Sequence, residues 1–398
     1  MDSYTILIIL SSLVVFSYLL DMLARRSHIP SVLLLLLLGI ILKSLTEYFG
    51  IRTIDFLDIL PTLGTIGLIL IVLEGALELR YHESKKQLIN NAFFTALFLL
   101  LIIVFSLTGL FMYITEMPFY NCFLNAIPFS IISSAIAIPS VAGIQKESKE
   151  FVIYESSFSD ILGIVLFDFA LYNTSFKPAT FLTLGLDMLL ILVLSAIFCL
   201  FLLFVMGRIK HHVKFFLILA ILVLMYALGK HYHLSSLVFV LAFGLFLSNA
   251  DQVRNAWFRK NLLYRKLHRD LHRLYQFTAE SAFLLRTYFF IIFGFTIAIE
   301  TFLHRTVALN GLLIVILIFT TRYIYLKYIA KVNSGPVVYV SPRGLISILL
   351  FFSIPPELQM VEIGNGLLFI VILATGIVMA YGLFTYRKDP KAGTGAGS

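Results

Sequence analysis

The sequence contains little charge for its length. Asp, Glu, Lys and Arg make up 13% of its 398 residues, against about a quarter of an average soluble domain. Apolar residues make up 60%, and the mean hydropathy is +0.97. Because a water-soluble fold of this size needs more polar surface, the composition predicts an all-α polytopic membrane protein. A membrane β-barrel is disfavoured, because the apolar runs are continuous rather than alternating.

Cysteine and recognisable catalytic motifs are also scarce. Cys122 and Cys199 lie in separate apolar runs, which indicates neither a disulfide framework nor a thiolate metal site. The chain has no nucleotide-binding or nucleophile motif, so it gives no support for chemistry on a covalent substrate. We therefore expect a protein that is not an enzyme and that needs no cofactor.

Thirteen apolar stretches, bounded by polar residues, proline or glycine, predict about 13 transmembrane helices. They lie near residues 4–23, 30–49, 58–79, 88–114, 120–144, 151–172, 178–207, 214–230, 234–249, 277–301, 306–330, 336–354 and 362–386. The stretch at 234–249 is short for a bilayer crossing. No small-residue cleavage site follows the first stretch, so we expect a retained span rather than a signal peptide.

The basic residues orient these spans. With the N-terminus outside, the inner loops hold 22 of the 30 Lys and Arg residues, the outer loops hold five, and three lie within spans. This bias agrees with the positive-inside rule and predicts an odd number of spans in the cell membrane, with a cytoplasmic C-terminus. It also accounts for the net charge of +8, so nucleic acid is not needed as a partner.

One long polar stretch, residues 250–276, carries leucines at helical spacing among arginines and lysines. The pattern predicts a basic amphipathic helix on the cytoplasmic face. An interfacial linker attracted to anionic lipid is the first interpretation, and a regulatory docking surface is the alternative. Residues 387–398 are expected to form a flexible tail.

Ionisable side chains within spans are candidate functional residues, because burying them in a bilayer is costly. They are Glu74, Glu78, Glu155, Asp160, Asp168, Glu280, Arg286, Arg322 and Arg343. Asp160 lies about 14 Å into its span at 1.5 Å per residue, close to the middle of the membrane. It shares a helical face with Glu155, Ser156 and Ser159, and this polar face predicts a path for a cation or a proton.

Glu155 needs a countercharge at this depth. Arg322 lies about 12 Å from the inner end of its span and Glu155 about 6 Å from the inner end of its own, and their long side chains make a buried pair feasible. Arg343 reaches a similar depth from a third helix and is the competing partner. The candidate partners of Arg286 are Glu74 and Glu280.

Two spans cannot be regular helices. The fifth carries Pro128 and Pro139 around Ser133-Ser134. The twelfth opens with Gly335-Pro336 and continues with Ser341-Pro342-Arg343-Gly344. Irregular backbone survives in a membrane only where protein buries it or where it lines a cavity. Because the breaks fall in corresponding spans of two halves, they predict inverted repeats whose two broken helices cross at a binding site.

Several short motifs resemble those of one transporter superfamily. Val72–Leu79 (VLEGALEL) is similar to its "FEGGLxL" stretch, and Glu155–Asp160 (ESSFSD) is similar to its "ESLLND". Phe289–Gly294 (FFIIFG) is similar to its "FxFxxxG" helix, while Arg322 and Arg343-Gly344 match basic positions on the following helices. On these motifs the chain resembles the cation/proton antiporter superfamily, nearest its NhaP-type and sodium/proton-exchanger branch.

The resemblance covers roughly residues 30–385 and implies a homodimer in which each protomer has two domains. A core transport domain would comprise residues 88–175 and 306–386, and it would move like an elevator. A dimerisation domain would comprise residues 1–87 and 176–305.

The resemblance also implies where ions bind. Asp160 would carry the cation or the proton, and Glu155 would be bonded to the residue at the Arg322 position. The predicted ion- and proton-binding residues are Asp160, Ser159, Ser156 and Glu155, and the predicted supporting residues are Arg322, Arg343, Pro139, Ser133 and Ser134. The family's "TDP" triplet reads Ala137-Ile138-Pro139 here, so the proline would preserve the backbone break while a hydroxyl and a carboxylate are missing.

These features predict a secondary transporter that exchanges H⁺ for Na⁺ or K⁺ by alternating access. One exchanging carboxylate, Asp160, would make the exchange electroneutral. A channel is disfavoured, because the few polar residues cluster at one depth instead of forming a continuous pore. A non-transporting scaffold or sensor is the alternative, in which the fold persisted and the ligands at Ala137 and Ile138 were lost.

Overall fold

The computed structural model is helical, and the residues that it describes form no β-strand. Those residues are 3–27, 30–50, 60–79, 83–141, 143–173, 178–208, 214–231, 236–253, 267–297, 305–331, 335–360 and 364–388.

Within these ranges there are fourteen α-helices. In chain order they are α1 (Ser3–Ser27), α2 (Ser31–Tyr48), α3 (Leu60–Glu78), α4 (Lys86–Thr115), α5 (Phe119–Ser130), α6 (Ser134–Ser140), α7 (Lys146–Tyr172), α8 (Pro178–Arg208), α9 (Lys214–His231), α10 (Ser236–Ser248), α11 (Leu267–Thr296), α12 (Arg305–Ile324), α13 (Leu345–Phe352) and α14 (Asn365–Lys388). A π-helix, Tyr325–Ala330, continues α12, and a 3-10 helix, Pro336–Tyr339, precedes α13. Every predicted span coincides with one of these helices or with a pair of short ones, which confirms the predicted fold class.

The lengths and compositions of these helices suit a membrane. Six stretches among the described residues are long and apolar enough to cross one: Ser31–Tyr48, Lys86–Thr115, Phe119–Ser140, Leu267–Thr296, Arg305–Ala330 and Gly366–Tyr386. Shorter apolar helices occur at Ser11–Ala24, Leu189–Phe204, Phe215–His231 and Ser236–Ser248.

By internal contacts the chain separates into two compact units. One unit comprises residues 1–64, 88–163 and 286–398, and the other comprises residues 65–87 and 164–285. The predicted ion-binding and supporting residues all lie in the first unit. The assignment of dimerisation and transport roles to parts of the chain stays a prediction.

In the first unit, α2 and α11 touch through their backbones. A Cβ atom added at Gly39 or at Gly294 would collide with backbone atoms of the other helix. Such small residues allow close helix approach in membranes, where dispersion contacts replace the hydrophobic effect as the packing force. Lys43 of α2 also donates to the carbonyl of Ile297, just beyond α11, at 2.9 Å. These contacts fix the part of α11 that lies in this unit.

The predicted amphipathic helix at 250–276 is described only in part, because residues 254–266 lie outside the described ranges. From Leu267 onward the segment belongs to α11, in one helix with the apolar span that follows. Leu267, Leu271 and Leu274 are buried, whereas the intervening Arg269 is exposed. The described part of the segment therefore has the predicted apolar and basic faces.

Candidate functional site

The chain leaves helical geometry between α5 and α6, where Ile131 and Ser133 have extended backbones. This break frees backbone N–H groups that have no helical acceptor and that cannot reach water inside a bilayer. Each of three successive amides finds another acceptor: Ile132 donates to Ser159 Oγ (2.9 Å), Ser133 to the carbonyl of Pro342 (2.8 Å), and Ser134 to Asp160 Oδ2 (3.2 Å). The amides at the break are thus hydrogen-bonded to two residues of α7 and to the second broken span.

The second break is the non-helical segment 340–344, between the 3-10 helix and α13. Arg343 lies in this segment, and its side chain is fully buried. Its guanidinium donates to the last carbonyls of α5, from Nε to Phe129 at 2.7 Å and from Nη2 to Ser130 at 3.2 Å. Nη1 donates to the carbonyl and hydroxyl oxygens of Ser341, at 2.7 and 2.6 Å. A cation is favourable at a helix C-terminus, because the last carbonyls there lack helical donors.

The two broken spans are therefore joined to each other directly. The amide of Ser133 binds the carbonyl of Pro342, while Arg343 binds the end of α5. Gly344 leaves room at this crossing, because a Cβ atom there would lie 2.5 Å from Ser133 Oγ. The predicted crossing of two broken helices is thus present.

Asp160 lies at this crossing and is 7% exposed. Its Oδ2 atom accepts from the amide of Ser134, whereas Oδ1 is buried and has no hydrogen-bond partner among the described residues. The hydroxyl of Ser133, next to Ser134 in the chain, is also buried without a partner in that part of the structure. Buried polar atoms without partners are rare and need an explanation. A bound cation would supply the missing partner of the carboxylate, and a bound proton would neutralise its charge.

Glu155 is engaged differently. Arg322 Nη1 lies 2.6 Å from Oε1 and Nη2 lies 2.8 Å from Oε2, so the pair is bidentate. Both side chains are 1% exposed. Arg322 also donates from Nε and Nη2 to the carbonyl of Val337, at 3.2 and 3.0 Å. The structure thereby confirms Arg322 as the partner of Glu155. The competing candidate, Arg343, hydrogen-bonds to backbone carbonyls instead.

The two serines of the predicted polar face have different environments. Ser159 Oγ accepts from the amide of Ile132 at the first break. Ser156 Oγ donates to the carbonyl of Val152 on its own helix at 2.7 Å, so its hydrogen atom points away from Asp160. Both side chains are buried.

Pro139 is not at the backbone break. It lies within α6, in the last turn of that helix, and the extended residues 131–133 precede it by six positions or more. Pro128 likewise lies inside α5. The expectation that Pro139 preserves the break is therefore wrong. Hydrogen bonds from its backbone amides to other parts of the chain stabilise the break. The break therefore lies at Ser133-Ser134 and not at Ala137-Ile138-Pro139.

Arg286 has one hydrogen bond at the site that was not predicted, in which its Nη1 atom donates to the carbonyl of Ala135 in α6 at 3.3 Å. Its pairing with Glu74 or Glu280 stays a prediction.

Two polar residues that hydrogen-bond to distant parts of the chain near the broken spans were not predicted. Asn125, fully buried in α5, donates to the carbonyl of Leu358 at 2.8 Å and accepts from the amide of Met360 at 3.4 Å. Thr375 in α14 accepts from the amide of Arg343 at 3.1 Å. Both are polar residues within apolar spans, a feature that indicates hydrogen bonding to another part of the chain. Reading uncharged polar residues in this way would have found them.

Discontinuous helices that cross at a buried carboxylate define a class of secondary transporters. A family model described as "Sodium/hydrogen exchanger, transmembrane" matches residues 10–386, so the chain belongs to the sodium/hydrogen exchanger family. Membership identifies a multi-pass membrane transporter rather than an enzyme, and it supports proton-coupled cation exchange.

Solved structures agree in fold. The chain is similar to the sodium proton antiporter MjNhaP1 from Methanocaldococcus jannaschii at pH 8, with 21% identity, a TM-score of 0.71, and coverage of 96% of this chain and 100% of that chain. A structure of the same antiporter from electron microscopy gives 21% identity, a TM-score of 0.71, and full coverage of both chains. No curated protein sequence matches the chain.

Proposed function

We propose that this protein is a secondary active antiporter that exchanges protons for Na⁺ or K⁺ at the carboxylate of Asp160. The observation that supports this most directly is the unequal environment of the two carboxylate oxygens. Oδ2 is held by the amide of Ser134, and Oδ1 is buried without a partner among the described residues. Such an oxygen binds either a proton or a cation, and competition between the two couples their movements.

Oxygen ligands for the cation are available beside this carboxylate. The hydroxyl of Ser133 is buried and unpartnered in the described part of the chain, and Ser159 contributes a second hydroxyl oxygen at the break. Glu155 is bonded to Arg322, so we assign it a supporting role rather than that of a carrier. Ser156 is less suited to bind the cation, because its hydroxyl donates to its own helix.

The movement that we propose is alternating access by an elevator-like core. Residues 88–175 and 306–386 would form this core, and residues 1–87 and 176–305 would form the dimerisation domain of a homodimer. The antiporter fold and the hydrogen bonds between the two broken spans support the proposal, because broken helices bonded to each other can move as one body.

The protein would reside in the cell membrane with its N-terminus outside and its C-terminus in the cytoplasm. The distribution of Lys and Arg supports this orientation. The basic segment 250–276 would bind anionic lipid at the cytoplasmic surface, and the exposed Arg269 and Arg273 support this.

Flux measurements in proteoliposomes test the function. The purified protein is reconstituted with an imposed ΔpH, and Na⁺, K⁺ or Li⁺ is then added outside while internal pH is followed. Cation-dependent dissipation of ΔpH without uncoupled cation current is the expected result. A current without proton coupling would indicate a channel. No flux with any cation would favour a scaffold or sensor, for which the apolar Ala137 and Ile138 are the supporting observation.

A further inference from the structure

Proline has no backbone N–H, so in an α-helix it leaves the carbonyl of residue i−4 without its usual donor. For Pro139 in α6 that carbonyl belongs to Ala135. Arg286 Nη1 donates to this oxygen at 3.3 Å. The arginine thus replaces the hydrogen bond that the proline removes.

This carbonyl lies next to the group that binds Asp160. α6 begins at Ser134, whose amide donates to Asp160 Oδ2 at 3.2 Å, and Ala135 is the next residue. In a helix of seven residues, one missing bond removes a large part of the hydrogen bonding that keeps its first turn in place. A change in that turn therefore moves the donor to the carboxylate.

We propose that Arg286 is a positioning residue for Asp160. Its guanidinium satisfies the carbonyl of Ala135, keeps the first turn of α6 helical, and so aims the amide of Ser134 at the carboxylate. The hydrogen bonding itself is independent of what the protein transports, whereas the consequence for exchange rests on the proposed function.

Arginine suits this role better than lysine. Its guanidinium stays charged under all ordinary conditions and presents five donors in a fixed plane, so one N–H can remain aimed at a carbonyl. A lysine ammonium is more strongly hydrated and is a point donor on a flexible chain. We therefore expect Arg286→Lys to position the first turn of α6 in part and Arg286→Met not to position it at all.

A double-mutant cycle tests the proposal. Pro139→Ala restores an N–H four residues after Ala135, which gives its carbonyl an internal donor. In the natural background, Arg286→Met is expected to raise the apparent KM for the cation about tenfold, as for the loss of one charge-assisted hydrogen bond. In the Pro139→Ala background the same change is expected to alter KM less than about twofold. An equal loss in both backgrounds, or no loss in either, would overturn the proposal.

Thermal unfolding of the same four proteins in detergent provides a second measurement. The fall in Tm caused by Arg286→Met should be smaller when Pro139 is alanine. If Arg286→Met alone does not fold, recovery of a folded double variant supports the proposal, and failure of the double variant to fold contradicts it. Because unfolding does not require transport, this cycle remains decisive even if the proposed exchange at Asp160 is wrong.

Lys43→Met is the matched control. Lys43 also donates to a backbone carbonyl, that of Ile297 at 2.9 Å, but no proline lies four residues after that acceptor. Its effect on Tm should be the same with proline or alanine at position 139. A rescue of Lys43→Met equal to that of Arg286→Met would show that Pro139→Ala stabilises the protein generally, and the proposal would fall.

Discussion

Glu155 and Arg322 form a bidentate ion pair that is closed to solvent, with N–O distances of 2.6 and 2.8 Å. The guanidinium also binds the carbonyl of Val337 in the 3-10 helix that precedes the second break. One arginine thus joins α7, which carries Asp160, to the second broken span. The pair holds the surroundings of the site together.

The first prediction is that breaking this pair destabilises the protein more than neutralising Asp160 does. Removing either partner leaves an uncompensated buried charge, which costs about 3–5 kcal/mol. Glu155→Gln and Arg322→Gln should therefore each lower the Tm more than Asp160→Asn. The double variant should lose less than the sum of the two single losses, because neither charge then remains unpaired.

Glu47→Gln is the control for this comparison. Its pair with Lys43 has an N–O distance of 4.0 Å, and the Glu47 side chain is 64% exposed. Exposed pairs contribute little, so its Tm should stay near that of the unchanged protein. A stable and fully active Arg322→Gln protein would show that the pair does not support the site.

The second prediction concerns Asn125, which links α5 to the segment that follows α13. Asn125→Leu removes the bonds to Leu358 and Met360 and leaves buried backbone groups unpaired, at a cost of about 1–3 kcal/mol. Hydrogen–deuterium exchange should therefore rise in residues 353–360. Asn173→Leu is the matched control, because Asn173 directly follows α7 and its side-chain amide donates to Phe169 in the last turn of that helix. Unchanged exchange in Asn125→Leu would contradict the proposed link.

The third prediction is electroneutral exchange. The residue before Asp160 is Ser159, which is not an acid, and Ile138 on the crossing helix carries no charge. Neither position therefore adds a second carboxylate to the site. Glu155 is bonded to Arg322, so we assign it no part in carrying the exchanged ion. One carboxylate is then left to trade one proton for one monovalent cation.

An imposed membrane potential tests this stoichiometry. The potential is set with either sign by a K⁺/valinomycin gradient, or with another ion if K⁺ is transported, while Na⁺-driven internal pH is followed. The final ΔpH should depend on the cation gradient alone. If it follows the potential, a second group titrates during the cycle, and Glu155 is the first to examine.

The fold could be predicted from the sequence because a bilayer restricts the choices. Long apolar runs must form helices, and polar or proline-containing interruptions must be buried or line a cavity. The spans and both breaks were confirmed on this basis. The partnership of Glu155 with Arg322 was predictable for a related reason, since a buried carboxylate requires a nearby cation and few were available at its depth.

The detailed hydrogen bonding could not be predicted in the same way. Helical spacing gives the depth of Arg343 and Arg286 but not the direction of their side chains, and both donate to backbone carbonyls that the sequence did not indicate. Pro139 was misplaced because a proline marks a missing donor without showing whether the helix ends there. In α6 it does not end, and the carbonyl of Ala135 receives its donor from another helix.

The central claim, that Asp160 carries the exchanged ion, is tested most directly by Asp160→Asn in proteoliposomes with a cation-driven ΔpH assay. Asp168→Asn is the matched control, because it makes the same change two turns further along α7. We predict that Asp160→Asn stays folded but loses cation-dependent ΔpH dissipation, while Asp168→Asn retains it. Near-normal dissipation by a folded Asp160→Asn protein would contradict the claim.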